Sequence, residues 1–374
     1  MSETADNGRE GFAEPLPDGR LRCKACQRAC VLTADELGFC RVRMNRAGRL
    51  VPLSYGRVAA LHVANVERKP LFHFYPGQLM LSLGSLGCNF RCPGCQNWEL
   101  AHADVPAGLA AVPFMPPGEL VRRAVELGCL GLSWTYNEPA VWFEYTLDGA
   151  RLAKLAPPVP SEVEGSPVEG AAGLMTNYVT NGSLTAAALD EIGPYLDAYR
   201  VDIKGFSEQT YGRVANLAGF RGILTVAERA KHRWNMHVEC VTNVIPTMND
   251  GEGELRGIAR WMAGALGPDT PWHVTRFVPH GDLSHLPATP LETLERALEI
   301  GREAGLRFVY IGNVPGHPAQ NTCCPDCGEL LIERTGLLPA ELHLRDGSCP
   351  QCGLKLPGRF GEGPPTGPTP RRHT

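Results

Sequence analysis

The feature that most restricts the fold is a rhythm running from Leu79 to Val314, in which short apolar segments end at polar or Gly-containing corners and lead into amphipathic stretches. Candidate strands lie at 79–83, 131–135, 174–180, 198–203, 237–244, 273–277 and 308–311. Segments 117–127, 185–192, 255–266 and 290–304 carry apolar residues at three- and four-residue spacing, as helices with one buried face do. Parallel strands need crossovers of about this length, so the alternation predicts an α/β fold of parallel β/α units, open or closed into a barrel. Active sites of such barrels gather where the strands end.

Cysteine usage is the second constraint. The 374-residue chain has 14 Cys, a net charge of −4 and 43% hydrophobic residues. No apolar run approaches the roughly 20 residues that span a bilayer. The acidic, polar N-terminus does not read as a signal peptide. A soluble cytoplasmic protein with no membrane partner is expected, and near-neutral charge argues against a surface matched to nucleic acid. In a reducing cytosol clustered thiols are more often metal ligands than disulfides. Here they fall into an N-terminal four (Cys23, Cys26, Cys30, Cys40), a central three (Cys88, Cys92, Cys95), a C-terminal four (Cys324, Cys327, Cys349, Cys352) and three others (Cys129, Cys240, Cys323). Cys129 and Cys240 sit in apolar contexts and read as core thiols.

The central three follow the first candidate strand in Gly87-Cys88-Asn89-Phe90-Arg91-Cys92-Pro93-Gly94-Cys95-Gln96-Asn97-Trp98. Three thiolates at this spacing can hold three irons of a cubane and leave the fourth open. A structural zinc would need a fourth ligand, and no neighbour offers an obvious one.

This loop resembles the cluster-binding loop of the radical S-adenosylmethionine (SAM) superfamily. The resemblance implies an incomplete (β/α)6-type barrel and a [4Fe–4S] cluster on Cys88, Cys92 and Cys95. It further implies SAM chelated to the open iron, and reductive cleavage of SAM to a 5′-deoxyadenosyl radical that abstracts hydrogen from a substrate. It places SAM contacts at Asn137 and Glu138 of Thr135-Tyr136-Asn137-Glu138-Pro139, at Asn181 of Val179-Thr180-Asn181-Gly182, and at Asp202 and Lys204, which resemble the Asp-x-Lys of pyruvate formate-lyase activases. Trp98 is expected to pack beside the cluster. An electron donor of flavodoxin or ferredoxin type is implied as a partner.

The chain is closer still to the AmmeMemoRadiSam system radical SAM enzymes, through Gly38-Phe39-Cys40-Arg41-Val42-Arg43, the Glu67–Gly77 stretch ERKPLFHFYPG, Cys95-Gln96-Asn97-Trp98-Glu99 and Ile311-Gly312-Asn313-Val314. That resemblance implies AMMECR-type and Memo-type partners. Val278-Pro279-His280 departs from an expected His-Pro pair, so His280 receives no catalytic role and no catalytic residue is assigned. Within this class the alternatives are tailoring of a protein, RNA or metabolite and activation of a glycyl-radical enzyme. Outside it stands a non-catalytic iron–sulfur and zinc sensor.

The flanking modules read independently. Cys324-Pro325-Asp326-Cys327-Gly328 and Cys349-Pro350-Gln351-Cys352-Gly353 form paired knuckles of a zinc-ribbon-like module. Cys323 beside them reads as a spectator. The N-terminal four, separated by two, three and nine residues, fit no familiar pattern, leaving zinc, a second iron–sulfur cluster or no metal open. From Arg20 to Lys69 there are 11 Lys/Arg against Asp35, Glu36 and Glu67. A solvated face accounts for that excess, and a docking surface for an acidic partner or RNA is the sharper reading. His73 reads as a packed histidine. The expected layout is a disordered lead-in (1–19), a basic Cys-rich module (20–70), the partial barrel (71–315), the ribbon-like module (316–358) and a disordered tail (359–374). The Pro/Glu/Ser/Gly repeat at 157–170 interrupts the barrel as a surface insertion.

Overall fold

The computed structural model describes residues 11–156, 173–336 and 338–361. The repeat at 157–170 and the tail from 362 onward lie outside the described residues.

All seven expected strands form, at Leu79–Gly84, Gly131–Trp134, Met175–Thr180, Ala198–Asp202, His237–Val244, Trp272–Arg276 and Val309–Gly312. They run parallel and neighbour one another in chain order. Among the described residues no pairing joins the two ends of this order, so the sheet is a partial barrel. Its strands are buried along most of their length, polar residues such as Thr176, Asn177 and Glu239 included, because helices cover one face while the other lines the barrel interior. Trp134, Tyr178, Tyr199 and Trp272 are fully buried in it.

The helices between strands start and stop for local reasons. Thr185 caps Ala186–Ile192 by accepting from the Ala188 amide, and Ser207 caps Glu208–Ala215 by accepting from Thr210. Glu252–Trp261 continues as a wider π turn, Met262–Leu266, and ends at Gly267 with φ +90°.

An eighth strand, Ala60–Asn65, pairs antiparallel with Leu79–Gly84 at the sheet edge. The sequence placed it in the N-terminal module, because an edge strand with no buried residue shows no strong apolar pattern. Residues 11–19, expected as a disordered lead-in, instead supply the strand Ala13–Pro15, which pairs with Leu21–Cys23. Phe12 anchors this segment: its ring lies 5.2 Å from that of Phe143, and its amide donates to Glu144 at 2.6 Å.

The rest of the N-terminal module is a small sheet completed by Val31–Leu32 and a hairpin, Arg43–Arg46 with Arg49–Pro52. Ala47 and Gly48 turn that hairpin with φ of +50° and +76°. The module sits on the rim where the parallel strands end. Gln27 donates its amide to Ser183 O, and Thr185 donates to Ala25 O, both just beyond the strand Met175–Thr180.

The C-terminal module, strands Thr322–Cys323, Leu330–Thr335 and Leu338–Leu342, attaches to residues near the starts of the last two parallel strands. Arg334, 5% exposed, donates to Phe72 O, Gln320 O and Thr322 Oγ1. His73 is buried, as its packed reading requires, with Nε2 2.6 Å from Tyr310 Oη and Nδ1 2.8 Å from Pro357 O. The tail's first residue is docked as well, since Arg359 donates its amide to His73 O and accepts from Tyr75.

Candidate metal and cofactor site

The loop after Leu79–Gly84 brings Cys88, Cys92 and Cys95 to the rim formed by the strand ends. The approach to it is tight. At Gly87, φ +88°, a side-chain carbon would come within 2.7 Å of Val42 and 2.9 Å of Cys40 O. Only glycine lets the loop pass this close to the N-terminal module.

Asn137 holds the loop's entrance. Its Oδ1 accepts from Ser85 N at 3.0 Å and its Nδ2 donates to Gly87 O at 3.0 Å. The residue before it, Tyr136, has φ +70°, a costly conformation for a bulky side chain that is found at sites the surroundings over-determine. Glu138 closes the other side by accepting from Ala140 N, Thr180 Oγ1 and Asn181 N at 2.9, 2.8 and 2.7 Å. Burial pushes its carboxyl up to about 7 despite these donors. Both residues, expected as SAM contacts, also brace the scaffold that joins the first three strand ends.

Asn181 turns toward the cysteines, with Nδ2 2.9 Å from Asn89 Oδ1 and 3.9 Å from Cys88 Sγ. Asp202 ends its strand between two cations: Lys204 Nζ lies 2.9 Å away, and Arg200 pairs with its other oxygen. Burial alone would raise the Asp202 carboxyl, but the two cations outweigh it and hold it low. Both Asp202 and Lys204 act electrostatically on Cys92 and Cys95, so the expected residues of the fourth strand converge on the loop.

Burial raises all three thiols, Cys88 furthest and Cys92 to about 11. Amide N–H groups of Phe90 and Asn97 point at the sulfurs of Cys88 and Cys95 and favour their thiolates. Three half-buried thiols, two of them with amide donors, beside a lysine, fit a cubane with one iron left for a small ligand. Trp98 departs from expectation: it is 48% exposed and starts a short helix that leads away from the loop. Asn89 is the residue that sequence reasoning passed over. Lying between two ligands, it donates to Ser183 Oγ at 2.5 Å, accepts from Asn181 and hydrogen-bonds Cys26.

At the other end of the molecule, the ligand atoms of Cys324, Cys327, Cys349 and Cys352 all lie within 4.8 Å of one another. Cys324 Sγ is 3.5 Å from Cys352 Sγ, and Cys327 Sγ is 3.6 Å from Cys349 Sγ. That is a four-sulfur set close enough to bind one metal ion. Cys323 is exposed, and Cys129 and Cys240 are buried as expected.

A partial β/α barrel with three cysteines on the loop after its first parallel strand defines the radical SAM class. The Radical SAM superfamily model matches residues 83–262, and the chain belongs to that superfamily. It is similar to an uncharacterized protein of Methanocaldococcus jannaschii, 37% identical over 347 residues that cover 92% of this chain and 97% of the relative. Among solved structures it is similar to a radical SAM methyltransferase from Sphaerobacter thermophilus, 18% identical with a TM-score of 0.43 over 64% of this chain and 68% of that one. It is also similar to a domain of the pyruvate-formate lyase-activating enzyme from Bacteroides vulgatus, 14% identical with a TM-score of 0.37 over 48% of this chain and 98% of that one. No helix among the described residues is long and apolar enough to cross a membrane.

Proposed function

We propose that this radical SAM enzyme binds a [4Fe–4S] cluster through Cys88, Cys92 and Cys95 and cleaves SAM reductively to abstract hydrogen from a substrate. The observation that carries this reading is the convergence of three half-buried thiols, Asn181, Asp202 and Lys204 on one rim. When bound, the cluster supplies the electron that splits SAM into methionine and a 5′-deoxyadenosyl radical. The protein's part is positioning. Asn137 and Glu138 hold the cysteine loop against the ends of the second and third parallel strands, so the thiols meet the iron in a fixed arrangement. Asn181 faces Cys88 with an amide able to donate to a ligand carboxylate. The Asp202–Lys204 pair offers both signs of charge, which suits the amino and carboxylate groups of a bound methionine moiety.

The resemblance of the sequence to AmmeMemoRadiSam system enzymes adds to this proposal AMMECR-type and Memo-type proteins as partners, with a flavodoxin or ferredoxin as electron donor. We place zinc in the C-terminal four-cysteine site, on the side away from the reaction. The protein's working compartment is the cytoplasm. Glycyl-radical activation stays the second reading, favoured by the Asp202-Ile203-Lys204 element.

The test is anaerobic reconstitution followed by a dithionite-and-SAM assay for 5′-deoxyadenosine, comparing wild type with Cys88/Cys92/Cys95→Ala. Cleavage by wild type alone supports the proposal. A well-formed cluster whose EPR signal ignores SAM, with no cleavage even when the candidate partners are added, refutes it in favour of a sensor.

A further inference from the structure

We propose that Cys23, Cys26, Cys30 and Cys40 hold a second iron–sulfur cluster, of the four-thiolate cubane class, directly beside the Cys88/Cys92/Cys95 site. Although their spacing in sequence matches no familiar pattern, the fold brings all four to the wall of one pocket. Arg28, Phe39, Arg43 and Asn89 complete its lining.

The spacing of the thiols differs between the two four-cysteine sets. Four thiolates on one zinc must sit about 3.8 Å apart, given Zn–S bonds near 2.3 Å in a tetrahedron. The C-terminal set meets that geometry. Among the described residues it is the only group of three or more potential ligands drawn within 4.8 Å, so no three of the N-terminal thiols are that close. In a cubane each thiolate takes a different iron, and the sulfurs stand farther apart around a larger core.

Backbone amides meet three of the four N-terminal sulfurs. The sulfurs of Cys23, Cys26 and Cys40 each receive the backbone N–H two residues ahead, from Ala25, Arg28 and Val42. The same step, sulfur to the amide two residues on, recurs at Cys88, Cys95, Cys327 and Cys352. Cys129, Cys240 and Cys323 have no such donor. Cys92 lacks one too, so the step accompanies a ligand loop without being required of each ligand.

Charge points the same way. Arg43 is 2% exposed, and its Nε is buried with no hydrogen-bond partner on the pocket wall. Arg28 adds a second guanidinium that acts on Cys26 and Cys30 as well as Cys88. Glu144 pairs with the Arg43 guanidinium, so the net positive charge at this pocket comes from Arg28, which donates to the Asn89 and Asn216 carbonyls and suits a metal–thiolate group of net negative charge. Asn89 then links the sites, since its side chain reaches both Cys26 and Cys88 Sγ.

The experiment reconstitutes the full chain anaerobically with iron and sulfide, counts iron, zinc and sulfide, and records EPR after reduction with and without SAM. Wild type is expected to hold about eight irons per chain, and Cys88/Cys92/Cys95→Ala about four, in a cluster whose signal SAM leaves unchanged. Cys26→Ala with Cys30→Ala is expected to drop to about four and keep only the SAM-responsive signal. A triple variant that holds no iron, or a wild type with about four irons and two zincs, overturns the proposal. Should the variants fail to fold, wild type decides alone: two reduced signals, one moved by SAM and one not, support it, and a single signal overturns it. Failure of the radical reading looks different, as eight irons with no response to SAM.

Discussion

Breaking the buried pair Arg43–Glu144 should damage the enzyme more than removing both partners together. Arg43 stands on the hairpin of the N-terminal module and Glu144 on the helix Phe143–Leu155 of the barrel, with side chains 2% and 4% exposed. Two parallel N–H···O bonds of 2.8 and 2.7 Å join them, and Glu144 also accepts the Phe12 amide. Opposite charges about 4 Å apart gain roughly 4 kcal/mol at an effective dielectric near 20, and removing one partner strands the other without water. Arg43→Met or Glu144→Gln alone should therefore cost about 3–5 kcal/mol, whereas an apolar replacement of both often comes near neutrality. The two-site variant Arg43→Met with Glu144→Leu should recover at least about 2 kcal/mol relative to the sum of the single losses. Urea unfolding of the anaerobic protein, followed by tryptophan fluorescence, reads these differences from the midpoint. Single losses below about 1 kcal/mol, or strict additivity, would refute the reasoning.

Three further outcomes are expected. Burial lifts Glu67 to about 7 from an ordinary 4.5, so it favours the folded state below pH 4.5 and loses that advantage as pH rises toward 7. Glu67→Gln should thus gain stability relative to wild type between pH 5 and 8, by up to about 3 kcal/mol, and a pH-independent difference in unfolding midpoint would contradict this. Asn137→Ala removes both contacts that brace the cysteine loop, leaving the buried Ser85 amide unpaired at a cost of about 1–3 kcal/mol. Iron should then leave several-fold faster under a chelator, and unchanged release would show that the loop holds itself. Arg334→Met should loosen the C-terminal module from the barrel while its cysteine-bound metal stays, seen as faster protease cleavage near residues 316–336 at constant zinc content.

What could be read from sequence and what could not divide along a physical line. The parallel strands stand out as short segments with apolar residues between polar or Gly-containing corners, as Leu79–Gly84 does, so all seven are legible in the sequence. The edge strand Ala60–Asn65 was hidden because it is held by backbone pairing to one neighbour and needs little apolar content. Spacing exposed the C-terminal ligand set because both halves are local knuckles. The N-terminal set stayed ambiguous because Cys40 comes to Cys23, Cys26 and Cys30 through tertiary packing that includes Gly87, Val42 and Leu86. Asn137 and Glu138 look like ligand contacts in sequence, and the hydrogen bonds by which they hold the cysteine loop and the end of the neighbouring strand are a second role that residue type does not announce. Asn89, with no motif of its own beyond sitting between two cysteines, is where the two thiol sets meet. A polar side chain near a cofactor site can serve the ligand, the scaffold or both, and only its hydrogen-bond partners reveal the scaffold's share.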